Sequence, residues 1–206
     1  MNRKWGFWLG LFAFTFVWRI MPYALEALGV MKIDPQTTWY PWNFAPMMGV
    51  CLFTGAALRD RRWAFTAPLV VFAASNFAMW GLTGHREFAF SPSQPLIMAA
   101  FLGTIALGEW LKRTPRILTA IPTGVVAETL FFVITNFAVW YFGEGGMYPL
   151  TFEGLMLCYV AGIPYFGRSL VSTTLFASLL FSPIGLRMAG VEPAADDLEP
   201  TPQVAR

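Results

Sequence analysis

Three polar side chains set inside long apolar runs are the residues best placed to do chemistry in this sequence. Glu128 sits within the run Ile117–Phe142, 12 residues beyond Arg116. At 1.5 Å per residue that is about 18 Å along a helix, and a carboxyl at such a depth in an apolar span is either protonated or paired. Thr135 falls within about 20° of Glu128 around a helix and Asn136 about 80° away, so the run carries one polar stripe. Arg19 ends the apolar run that begins at Trp5. It either reaches to an interface or offers a cation to a ligand or to Glu128. Such a stripe serves a ligand, or it hydrogen-bonds one helix to another.

A second group of residues gathers in the connections between apolar runs. The segment Asp34-Pro35-Gln36-Thr37-Thr38-Trp39-Tyr40-Pro41-Trp42-Asn43 is stiff, aromatic and rich in hydrogen-bonding groups. Asn76 and Trp80 lie near the end of one run, Asn136, Trp140 and Tyr141 near the end of another. Tyr148, Tyr159, Tyr165 and Arg168 surround the last connection. Aromatic walls with a few amides and one or two fixed charges suit a small, mostly planar organic ligand. The same Trp and Tyr also fit an interfacial belt. The candidate ligand-binding set is Arg19, Trp39, Trp42, Asn43, Asn76, Trp80, Glu128, Asn136, Trp140, Tyr165 and Arg168. No nucleotide-binding loop, nucleophile–base pair or paired acids occur, so the reading is not an enzyme and no cofactor is expected. His85 is the single histidine, and Cys51 and Cys158 stand 107 positions apart in apolar runs, so no metal site is expected either.

The elements that must position these residues follow from composition. Of 206 residues 56% are hydrophobic, 17% aromatic and 13% charged, whereas a soluble domain carries about a quarter charged. The partner implied is a lipid bilayer; the net charge of +2 is too mild for nucleic acid. Six apolar segments, at about 5–21, 44–58, 63–82, 95–111, 117–142 and 164–186, predict an all-α, polytopic six-transmembrane-helix bundle over residues 1–190. The stretch 151–163 is too short to cross and reads as a re-entrant or interfacial helix. The first span resembles a signal peptide without a cleavage pattern and is expected to stay. The segment 191–206, with Glu192, Asp196, Asp197, Glu199 and three prolines, reads as a disordered acidic tail.

Lysine and arginine set the direction. With the N-terminus inside, Arg3, Lys4, Arg59, Arg61, Arg62, Lys112, Arg113, Arg116, Arg187 and Arg206 are cytoplasmic, against Arg19, Lys32, Arg86 and Arg168 outside. Ten against four predicts N-in, C-in, and the tryptophans fall at the ends of the spans in agreement. Gly6, Gly10 and Ala13 place small residues on one face of the first span, and Ala99, Gly103 and Ala106 do so on the fourth. Such faces let another helix approach closely, within this chain or from a partner.

Several motifs carry a resemblance. Arg19-x-x-Pro22, Asn43-Phe44-Ala45-Pro46, Leu52-Phe53-Thr54-Gly55-Ala56 and Phe131-Phe132-Val133-Ile134-Thr135-Asn136-Phe137-Ala138-Val139-Trp140 resemble a family of bacterial membrane proteins. So do Tyr148-Pro149-x-Thr151, Gly154-Leu155 and Ile163-Pro164-Tyr165-Phe166. That family is regarded as a transport family related to the substrate-binding S components of energy-coupling factor (ECF) transporters. The resemblance, over about residues 12–186, implies an S-component-like bundle in the bacterial inner membrane. It also implies capture of a small nutrient, vitamin-like, at the outer face for uptake with a separate coupling subunit and ATPases. Gly6, Gly10 and Ala13 correspond to the face that meets the coupling subunit. Relatives tend to carry Ser-Asp where this chain has Ser75-Asn76; the charge missing here argues against cation binding or an identical ligand. The rival reading is an inner-membrane structural or assembly protein with no transported substrate.

Overall fold

The computed structural model describes residues 3–32, 44–113, 115–143 and 146–192. Among these every regular element is a helix: α1 Arg3–Ala27, α2 Met47–Ala57, α3 Arg61–Thr83, α4 Glu87–Phe90, α5 Gln94–Leu111, α6 Ile117–Phe142, α7 Phe152–Leu180 and α8 Pro183–Ala189. Five of them, α1, α3, α5, α6 and α7, are long and apolar enough to cross a membrane. The expected segment 44–58 contracts to the 11-residue α2, about 16 Å long and too short to cross by itself.

All 11 residues of α2 are buried. The helix is the axis around which the others pack, and its glycines explain how. A methyl group at Gly55 would overlap the Ile105 carbonyl, and one at Gly108 would overlap the Leu52 carbonyl. The α2 and α5 backbones therefore touch directly, the close approach that small residues permit. Around this contact Phe53 packs on Phe7, Trp8 and Phe181, joining α2 to α1 and to the end of α7.

Polar side chains define the helix ends. Asp60 accepts from the Arg62 and Trp63 amides and starts α3, which stops at the left-handed Gly84. The Thr151 hydroxyl accepts from the Gly154 amide and starts α7. These caps satisfy backbone groups that a helix terminus leaves open.

Two expected boundaries shift. Residues 151–163 are not a separate re-entrant helix: α7 runs unbroken for 29 residues through Pro164. The former end of the first span, near Pro22, is likewise passed by α1. A proline removes one helical hydrogen bond, and neighbouring helices hold the rest of the turn in place. The expected segment 164–186 accordingly divides between the second half of α7 and the short α8, which Ser182 caps.

Contacts among the helices sort the described residues into two ends. At one end Arg61 pairs with Glu109 at 3.2 Å, Lys112 lies beside the same carboxylate, and Gly190 packs against the Lys4 side chain. Arg59, Arg62, Arg113, Arg116 and Arg187 belong to the same connections. The opposite end holds residues 23–32, 44–46, 84–94, 140–143 and 146–152.

Candidate functional site

Arg19 is the residue whose setting the structure changes most. Because α1 continues to Ala27, Arg19 stands two turns inside the helix, half-buried against α3. Its Nη2 donates to Asn76 Oδ1 at 2.8 Å. Asn76 Nδ2 then donates to Gln94 Oε1 at 3.1 Å, and Gln94 Nε2 to the Phe88 carbonyl at 2.9 Å. A guanidinium only donates, so Asn76 must present its oxygen, and the direction of the whole relay follows. The guanidinium also lies over the Phe72 ring, 4.5 Å from its centroid. Its Nε is buried and has no acceptor. Among the described residues no carboxylate pairs with it.

These groups line a cavity of about 330 Å³ at the end away from the basic connections. Trp18, Tyr23, Phe44 and Phe88 supply its aromatic wall, Asn76 and Gln94 its amides, Ser91 and Ser93 its hydroxyls, and Glu87 its rim. The wall is locally fixed. Trp18 Nε1 donates to the Phe44 carbonyl at 2.8 Å, and Tyr23 packs edge-on against Phe88 with ring centroids 5.0 Å apart. Arg19 and Asn76 are thus brought together as two members of one site.

Glu128 does not meet Arg19. It is 1% exposed and lies between α6 and α7, where Ser169 Oγ donates to Oε2 at 2.9 Å and Thr173 Oγ1 donates to Oε1. Thr135, Asn136, Tyr165, Phe131, Phe132 and Phe166 join it around a separate cavity of about 190 Å³. The expected polar stripe of α6 therefore faces one space. Phe72 packs on Phe101 and Phe101 stacks on Phe131, with centroids 5.0 and 5.2 Å apart. This column of rings stands between the guanidinium and the carboxylate.

The remaining candidates are placed elsewhere. Trp140 Nε1 donates to the Pro149 carbonyl at 2.9 Å and fastens the turn before α7 to α6. Trp80 is 38% exposed and packs edge-on against Phe90. Arg168 stacks over Tyr165 at 5.8 Å. Trp39, Trp42 and Asn43 lie outside the described residues. Gly6 and Gly10 of α1 have nothing within 4 Å of a would-be Cβ, and Ala13 is exposed. That small face packs against no other described helix of this chain.

Sequence reasoning missed Phe72, Phe88, Gln94, Ser169 and Thr173. Ser169 and Thr173 carried a usable signal, since hydroxyls at i and i+4 in an apolar run share one helix face. Gln94 carried none, because its role depends on the fold bringing α5 to Asn76.

Residues 1–192 match the profile of a family of unknown function (DUF6580), and the chain belongs to that family. No curated protein and no solved structure matches it.

Proposed function

We propose that this multi-pass membrane protein is a substrate-capture component of the S-component type. It holds a small, vitamin-like nutrient at its outer face for uptake with a separate ATP-driven coupling module. The observation that carries the reading is Arg19: a guanidinium with no counter-charge among the described residues and one donor unused, in a cavity walled by aromatic rings and amides. A half-buried cation whose buried Nε has no acceptor is costly, and a ligand bearing a carboxylate or similar acceptor would complete it. Trp18, Tyr23, Phe44 and Phe88 would then stack on a planar body. A volume of about 330 Å³ is at the lower end of small-molecule sites.

The orientation in this proposal is N-in and C-in within the inner membrane, with the segment 44–58, which contains α2, as a sixth pass. The basic end then faces the cytoplasm and the Arg19 cavity opens outward. Gly6, Gly10 and Ala13, left open on α1, are the contact offered to a coupling subunit's helix.

The test is a thermal-shift and calorimetric screen of water-soluble vitamins against the purified protein. At least one acidic vitamin should bind saturably, and Arg19→Met should weaken it at least tenfold, about 1.4 kcal/mol. A screen without a hit, or binding indifferent to Arg19→Met, overturns the reading and leaves the structural or assembly role.

A further inference from the structure

We propose that the cavity between α6 and α7 is a second binding site, selective for a small organic cation of the alkylammonium class, with Glu128 as its counter-charge. The inference does not rest on the role of Arg19. It starts from the hydrogens around the cavity. Thr135 Oγ1 donates to the Phe131 carbonyl and Asn136 Nδ2 to the Phe132 carbonyl, each at 2.8 Å. Ser169 donates to Glu128 Oε2. The hydroxyl donors of Thr135 and Ser169 and one of the two Asn136 amide hydrogens are therefore already committed, so these groups offer the cavity mainly oxygen lone pairs.

The rest of the lining points the same way. Hydroxyls donate to both oxygens of Glu128, the arrangement that suits an ionised carboxylate. Among the described residues no Lys or Arg lines the cavity; Arg168 stacks on Tyr165 at 5.8 Å without joining the lining, and Arg19 is held by Asn76 beyond the column of rings. Phe131, Phe132, Tyr165 and Phe166 present aromatic surface, which attracts a cation. Space is kept by Gly162, where a methyl group would collide with Asn136 Oδ1 and the Phe132 ring. An aromatic-walled cavity rich in oxygen acceptors, with a buried carboxylate, disfavours anions and accepts an alkylammonium group. At about 190 Å³ it is too small for a fused-ring nutrient.

The probe is tetramethylammonium, titrated calorimetrically into the full-length protein in maltoside micelles. Wild type should bind it saturably. Glu128→Gln keeps the shape and should weaken binding at least tenfold, while Arg19→Met should leave it unchanged. Should Glu128→Gln fail to fold, Tyr165→Leu removes one aromatic wall and should weaken binding several-fold. Competition by phosphatidylethanolamine added to the micelles would assign the ammonium group to a lipid headgroup, and its absence to a soluble amine. A wild type that shows no saturable binding, or a folded Glu128→Gln or Tyr165→Leu protein that binds as well as wild type, overturns the proposal.

Discussion

At position 76 a single atom separates two states of the Arg19 cavity. Asparagine accepts from the guanidinium and still donates to Gln94; aspartate would neutralise the guanidinium and have no hydrogen for Gln94. Asn76→Asp is therefore expected to raise the melting temperature of the empty protein and to weaken an acidic ligand at least tenfold, measured by thermal shift with and without ligand. Arg19→Met should leave the empty protein as stable as before or more so, because an apolar chain of similar length removes an uncompensated charge. Denaturation that showed Arg19→Met to be strongly destabilising would make Arg19 a structural residue. In the sequence Arg19 and Asn76 were each legible as polar residues in apolar runs. Their pairing was not, because Pro22 marked an early helix end and placed Arg19 at an interface rather than two turns inside α1.

Among the elements, α2 was legible as apolar but not as short. Its role comes from Gly55 and Gly108, whose meaning depends on which helix lies opposite. Gly108→Ala is expected to force α2 from α5 and cost about 1–3 kcal/mol in reversible unfolding. Gly10→Ala, on an open face, should change stability little. Equal effects would show that the α2–α5 contact is not the centre of the packing. Gly10→Leu tests the partner instead: it should leave the fold intact and abolish co-purification with a coupling subunit. The α6 boundaries, Ile117–Phe142, match the sequence reading because Arg116 and Gly143 bracket an uninterrupted apolar run. The continuity of α7 did not, since Pro164 reads as the start of a new segment after 151–163 until neighbouring helices are present to support it.

For the whole molecule, composition was enough to show a helical membrane protein, and the clustering of basic residues at one end follows the count along the sequence. The division of the polar residues into two cavities was not legible, since periodicity places residues on a helix face without saying which helix faces it. The proposed capture role requires the Arg19 cavity to open on the outer side of the membrane, away from the basic end. Labelling intact cells with a membrane-impermeant thiol reagent tests it most directly, using His85→Cys beside the cavity end and Arg59→Cys at the basic end; native Cys51 and Cys158 are both buried. The His85→Cys protein is expected to be labelled from outside and the Arg59→Cys protein only after the cells are opened. The reverse pattern, or labelling of both from outside, would contradict it.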